Sequence, residues 1–385
     1  MTEKPLLFPR IEVSLDNIVH NISEIKKIVP ASKGIMAVVK DLAYGCGSVM
    51  VSKTLEANGV AWLAVAFAGE ARVLRDGGIT LPVLVLGECD KNELAWGAAN
   101  NISFSLNDPA DITTWSESGL TVRFHINIDT GMGRLGLLPN QLHAMIDAVK
   151  SNPRLVCEGA YTHLACADVP GTDSVGVQLN RFREALGALI QHGISPQHIH
   201  YANSSALMRF PVSPECTLVR PGITIYGCKP DPGQDFPLGL RSAVALKAHV
   251  AKIKRVPAGT PVSYGGRYVT TSDTNIATIP LGYGIGLPRL LTNQGAVLIG
   301  GKRYTVAGTV TMDYIMVDAG PKPLMRVGDE AVAIGYQGNE YISPDEVARM
   351  SGTIAYEILC GLSTKLDRYY FRNGSLLHYQ PGYYF

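Results

Sequence analysis

The feature that most limits what this chain can fold into is a change of rhythm near residue 240. Before it, short apolar runs of strand length alternate with amphipathic stretches: "DNIVHNISEIKKIV", then "GIMAVVK", "SVMVSKTLEANG", "AWLAVA", "AGEARVLRDGG" and "PVLVLG". The pattern continues through "ISFSL", "VRFHINID", "LVCEGAYTHL", "HIHYAN" and "CTLVRPG", with helical segments at "LPNQLHAMIDAVKSN" and "GVQLNRFREALGALIQHG". Continuous apolar strands separated by helices belong to a parallel sheet covered on both faces. Eight such strand signals fit a closed (β/α)8 barrel better than an open sheet. After residue 240 the segments "ALKAHVAKIKRV", "TNIATIPLG", "TVAGTVTMDYIMVD" and "GDEAVAIG" follow one another with glycine turns and little helix between them, apart from helical patterns at "SPDEVARMSG" and "IAYEILCGL". The reading is therefore α/β: a TIM barrel over 13–240, then a mainly β domain over 241–385 to which residues 1–12 contribute a strand.

Charge narrows the function. Lys and Arg number 34 against 33 for Asp and Glu, with no long run of either sign, which argues against nucleic acid or a membrane surface as partner. No early segment has the apolar length of a signal peptide and no later one that of a membrane span. Seven cysteines without CxxC pairs suit a reducing compartment. A cytoplasmic protein is expected.

The ends of the strands carry the chemistry. In a barrel the carboxyl ends converge on one mouth, so side chains far apart in sequence share a pocket there. Lys40 ends "GIMAVVK"; Arg134 stands in "DTGMGRLG", His163 in "AYTHLACAD", Asn203 and Ser204 in "YANSSAL", and Arg220 in "VRPGITIYG". Desolvation and neighbouring cations make a lysine amine a better nucleophile toward an aldehyde, which is how pyridoxal phosphate is held. The glycine turn of "RPGITIYG" after a late strand, with hydroxyls from Ser204 and Tyr44, offers donors to a phosphate.

In order and spacing, "AVVKDLAYGCG", "NIDTGMGRLG", "THLACAD", "NSSA", "RPGITIYG", "VSYGGRY", "LGYGIGLPR" and "VAGTVTMDYIMVD" resemble the signature segments of bacterial alanine racemases over nearly the whole chain. The resemblance implies a pyridoxal phosphate-dependent isomerase that interconverts L- and D-alanine and so supplies a peptidoglycan precursor. It also implies a head-to-tail homodimer, with each active site built from two chains. Lys40 corresponds to the cofactor-binding lysine and one of two racemising bases, and Tyr264 to the other, supplied by the partner. Two bases on opposite faces let one remove the α-proton while the other returns it to the reverse face. His163 resembles the residue that hydrogen-bonds Arg220, and Arg220 the arginine set against the pyridine nitrogen. Tyr44, Ser204, Gly222, Ile223 and Tyr356 match the phosphate-binding set, joined by Asn203 as a cofactor contact. Arg134 and the backbone of Met312, with Tyr283 at the entrance, match cofactor-oxygen, substrate-carboxylate and gate positions, with Asn127 and Asp313 in support.

The chain departs from the family pattern at several points. Asp41, Leu42 and Cys46 replace the usual residues after the lysine, Thr311 stands where many relatives have cysteine, and Ile285 where an aspartate is usual. Asn127 occupies the position of a lysine that many relatives carry as a carbamate, and from there its carbonyl is expected to accept a hydrogen bond from Arg134. A racemase of serine or of a wider amino-acid set is an alternative on the same scaffold, and a non-enzymatic pyridoxal phosphate carrier is an alternative of another class. A barrel-type decarboxylase lacks support, because its glycine triplet and C-terminal cysteine motif are missing.

Overall fold

The computed structural model describes residues 8–231, 233 and 237–382. The first strand, β1 (Arg10–Ser14), passes into helix α1 (Leu15–Ile28), where the Ser14 hydroxyl accepts from the Asn17 N–H and Lys26 and Lys27 occupy the last turn. That is the polarity a helix dipole favours. Helix α1 buries Leu15, Ile18, Ile22 and Ile25 along one stripe.

The barrel follows as β2 (Gly34–Val38), β3 (Trp62–Val65), β4 (Val83–Val85), β5 (Ile102–Leu106), β6 (Val122–Asn127), β7 (Leu155–Tyr161), β8 (His198–His200) and β9 (Leu218–Val219). All neighbours are parallel, in the order β8-β7-β6-β5-β4-β3-β2-β9. The Thr217 N–H donates to Ile199 O and the Arg220 N–H to Ala202 O, both at 2.7 Å, which closes β9 onto the chain leaving β8. Helices also stand where the sequence reading assigns none, at Lys91–Ala99, Pro109–Glu117 and the short Ser204–Arg209.

In the β domain, β1 is central. It pairs antiparallel with Val244–His249 and parallel with Asp367–Arg372, so residues 10–14 share one sheet with strands from the far end of the chain. Residues 1–7, part of the stretch expected to join that sheet, lie outside the described residues. A smaller sheet orders Lys252–Val256, Thr274–Ile279 and Ile315–Asp318. One continuous apolar core runs from barrel to β domain. Where they meet, the buried amide of Asn21 donates to Ile225 O and Arg241 O and accepts from the Arg241 N–H, satisfying backbone groups that would otherwise lie unpaired in the seam.

Candidate active site

A cavity of about 520 Å³ opens at the carboxyl end of the barrel. Lys40, Tyr44, Asn127, Arg134, His163, Asn203, Ser204, Arg220, Gly222, Ile223 and Tyr356 all line it. The strands bring most of them together: Lys40 and Tyr44 follow β2, Asn127 ends β6 and Arg134 follows it, His163 follows β7, Asn203 and Ser204 follow β8, and Arg220, Gly222 and Ile223 follow β9, while Tyr356 comes from helix Ala355–Cys360 of the β domain.

Lys40 lies two residues beyond β2, its Nζ 3.9 Å from Asp41 Oδ2. The backbone after it is unusual. Asp41, Leu42, Ala43 and Tyr44 all have φ between 52° and 55°, a left-handed turn of four residues that carry side chains. Such a turn costs about 1–2 kcal/mol per residue in L-amino acids, so its surroundings must impose it. The Glu70 carboxylate accepts from the Asp41 N–H at 2.5 Å, Arg368 Nε from the β domain donates to Gly45 O at 2.8 Å, and the Tyr44 ring stacks on Tyr226 at 4.7 Å. Tyr226 in turn donates its hydroxyl to Val38 O at 2.9 Å. Gly45 is required at the turn's end, since its φ is +78° and a Cβ would strike Leu359 O. The β domain thus clamps the segment that aims Lys40.

At the other end of the cavity, the Gly222 N–H donates to Ser204 Oγ at 2.9 Å. A Cβ at Gly222 would sit 2.5 Å from Tyr44 Oη, so the glycine keeps a cradle open between hydroxyls. Burial raises the Tyr44 and Tyr356 phenols well above their ordinary pKa, so both remain hydroxyl donors.

Arg220 is buried and held from several sides. Its Nη2 donates to Thr162 O at 2.9 Å and to His163 Nδ1 at 3.2 Å, its Nη1 to His200 Nδ1 at 2.7 Å, and its guanidinium lies 5.0 Å over the Tyr161 ring. Burial lowers its pKa to about 10, which still leaves it cationic at neutral pH. Burial, then the nearby Arg220, Arg134 and Lys40, push His163 down to about 3. Burial likewise lowers His125 to about 3 and depresses His200. Stability should carry that signature. Above about pH 6.5 all three imidazoles are neutral folded or unfolded; as the pH falls toward 3 only the unfolded chain takes up protons, at about 1.4 kcal/mol per histidine per pH unit. Urea midpoints should therefore drop between about pH 7.5 and 5.5, and His163→Asn should flatten the drop. Equal midpoints at the two pH values would show that these imidazoles are not held neutral.

Asn127 is buried, and its Nδ2 donates to Asn107 Oδ1 at 2.8 Å. Among the described residues Arg134 makes no bond to the Asn127 carbonyl, and it is the Asn127 amide nitrogen that finds a partner, in Asn107. Arg134 is exposed at the cavity mouth, on a loop that Asp129 ties down by accepting from the N–H groups of Gly131, Met132 and Gly133. Asn127→Ala should leave the Asn107 carbonyl oxygen without its donor at a cost of about 1–3 kcal/mol and loosen the wall beneath Arg134. Activity should be the same with and without bicarbonate, there being no lysine at 127 to carbamylate. Rates that need bicarbonate would transfer that role to another lysine.

Tyr264, Tyr283, Met312 and Asp313 are not in this cavity. They lie on the β domain, exposed, with Tyr264 at 74% and Met312 at 54%. Their loops are stitched together: Ser263 Oγ donates to Thr309 O, Thr309 Oγ1 to Tyr264 O, the Tyr283 N–H to Thr311 O and the Gly284 N–H to Met312 O. Tyr264 borders a separate hollow of about 380 Å³ with Thr311 and Tyr314.

The family model for the alanine racemase N-terminal domain matches residues 13–230, and that for the C-terminal domain matches 243–370. The chain belongs to the alanine racemase family. The alanine racemase of Carboxydothermus hydrogenoformans is 41% identical over 93% of this chain and 98% of its own length. Among solved structures, alanine racemase from Bacillus anthracis with bound L-Ala-P superposes with a TM-score of 0.91 at 38% identity, covering 97% of both chains. Histidine racemase from Leuconostoc mesenteroides superposes at 0.88 with 28% identity, covering 96% of this chain and 99% of that one. The chain is thus an isomerase of the racemase class, on a barrel followed by a mainly β domain. No described helix is long and apolar enough to cross a membrane, and among the described residues no cluster of His, Cys, Asp or Glu is arranged to hold a metal.

Within this racemase scaffold the sequence reading misses His200, Asn107 and Glu70. His200 lies in the quoted run "HIHYAN", three residues before Asn203, but attention to strand ends passes over side chains deeper in the barrel. Glu70 had a signal of another kind, a carboxylate in the first turn of helix Ala68–Asp76 that accepts from the Ala66 and Phe67 N–H groups.

Proposed function

We propose that the protein is a pyridoxal phosphate-dependent alanine racemase that works as a homodimer, with Lys40 of one subunit and Tyr264 of the partner subunit as the two bases. The observation that carries the reading is a division of parts. The barrel cavity holds a lysine, a buried arginine and a hydroxyl-lined cradle at Gly222, whereas the family's second base is a solvent-exposed tyrosine on another domain. A phenol left exposed at 74% on stitched loops is suited to enter a neighbouring cavity.

The residues fit the cofactor. Lys40 would hold it covalently; Ser204, Tyr44, Tyr356 and the backbone of Gly222 and Ile223 would receive its phosphate, with Asn203 beside them. When bound, pyridoxal phosphate draws electron density from the substrate's Cα and so acidifies the α-hydrogen. Arg220 would face the ring nitrogen as a donor that does not surrender its proton, which would keep that nitrogen unprotonated and moderate the electron withdrawal. Neutral His163 accepts from Arg220 and adds no second cation. Lys40 Nζ exchanges the α-proton on one face of the substrate and Tyr264 Oη on the other. Arg134 and the Met312 backbone orient the carboxylate, Tyr283 narrows the entrance, and Asn127 and Asp313 support them. The seven free cysteines agree with a cytoplasmic setting.

A broader amino-acid racemase is the second reading, favoured by the likeness to a histidine racemase. Exchange of the α-hydrogen with deuterated water, followed for both enantiomers of alanine, serine, lysine and histidine, separates the two. Alanine should exchange fastest from both enantiomers. Equal or faster exchange of another amino acid would replace alanine as the substrate, and no exchange at all would leave a cofactor carrier.

A further inference from the structure

Most barrels fill their interior with branched aliphatic side chains. This one sets two imidazoles there, His200 and His125, both fully buried. The contacts fix the direction of every hydrogen. A guanidinium only donates, so His200 Nδ1, 2.7 Å from Arg220 Nη1, accepts. A neutral ring that accepts at Nδ1 carries its hydrogen on Nε2, and His200 Nε2 lies 2.8 Å from His125 Nδ1. His125 therefore accepts at Nδ1 as well and carries its own hydrogen on Nε2. That Nε2 is buried and has no hydrogen-bond partner among the described residues, an unfavourable place for a donor. Space is reserved for the ring: a Cβ on Gly159 of β7 would collide with His125 Nδ1. Trp62 packs against His125 at 5.1 Å, His198 at 5.9 Å, and Tyr161 stacks on His200 at 4.9 Å.

A histidine kept at that cost, where an aliphatic residue would pack without an orphaned donor, is there for its acceptor. We infer that His125 is a positioning residue for the reaction: by accepting from His200 it locks the imidazole tautomer that holds the Arg220 guanidinium in the cavity wall. His125 is not among the residues that line the cavity, so it acts only through His200. Without its acceptor, His200 Nε2–H is left buried and unpaired, and the ring is free to turn and present a donor to Arg220. The charged and titratable groups around the pair are Arg220, His198 and Tyr161, with Glu158 beyond His198; burial and Arg220 both oppose a positive charge on either ring. The inference rests on Arg220 being the cofactor-facing arginine.

The test has two arms. In histidine-labelled protein, prepared with and without cofactor, two-bond proton–nitrogen spectra should show His125 and His200 both as Nε2–H tautomers, unchanged from about pH 5.5 to 9. An Nδ1–H tautomer at either, or a titration in that range, would overturn the chain. In the second arm His125→Phe removes the acceptor, whereas Asn at 125 sets a carbonyl oxygen near the position of Nδ1. His125→Phe should lower kcat for alanine about tenfold with KM little changed and shift the visible absorption of the bound cofactor, and His125→Asn should recover most of the loss. Equal loss in both variants, or none in the phenylalanine variant, would reduce His125 to packing. If His125→Phe does not fold, the His200 tautomer in His125→Asn decides: its retention supports the inference and its loss overturns it. A wild-type protein that fails to racemise alanine would defeat the proposed function alone, because the tautomer spectrum reads the chain without turnover.

Discussion

Tyr264→Phe should slow α-hydrogen exchange from one enantiomer of alanine by about 10²- to 10⁴-fold, the usual contribution of a positioned general base, while exchange from the other falls far less. The phenylalanine ring keeps the size of the side chain and removes only the hydroxyl. Exposure of Tyr264 to solvent within its own chain means that the fold loses no buried contact by the change, so stability should hold while one direction of catalysis collapses. In the proposed reaction Lys40 would still serve the opposite face and the cofactor would still be held. Exchange measured separately for the L and D enantiomers in deuterated water reads the asymmetry directly. Unaltered exchange from both would remove Tyr264 from the reaction, and an equal loss from both would make it a binding residue.

The second large effect is a rescue. Lys40→Ala and Tyr264→Ala should each be nearly inactive alone, yet mixing them under conditions where subunits exchange should restore about a quarter of wild-type activity. Random exchange makes half the dimers mixed, and each mixed two-fold dimer holds one site with both residues intact. The geometry behind the expectation is that Tyr264 borders its own hollow with Thr311 and Tyr314, while Lys40 lines the barrel cavity. No recovery despite demonstrated exchange of subunits would place both bases in one chain.

The barrel was legible because its strands are apolar on both faces and punctuated by glycine and helix starts, a pattern that few other folds produce. Strand-end chemistry was legible for the same reason: Lys40, His163, Ser204 and Arg220 each follow an apolar run, and the barrel geometry gathers them. Helices Lys91–Ala99 and Pro109–Glu117 escaped a reading by periodicity, since Trp96, Gly97 and the threonines blur the apolar stripe. Their caps, Asp90 with Glu93 and Asp108 with Asp111, carried the better signal. The left-handed turn at Asp41–Tyr44 was illegible, because none of its four residues is the glycine that announces positive φ; it is imposed by Glu70, Tyr226 and Arg368 from distant segments. The same holds for His125 and His200, whose meeting depends on the register of β6 against β7 and of β7 against β8. Tyr356 and the β-domain residues came from family resemblance, and no local pattern marked them.

The proposed reaction depends above all on Lys40 as the residue that holds pyridoxal phosphate. Borohydride reduction of the purified yellow protein, followed by peptide mapping, should leave a pyridoxyl mass on the peptide containing Lys40; a label on any other lysine would refute that assignment.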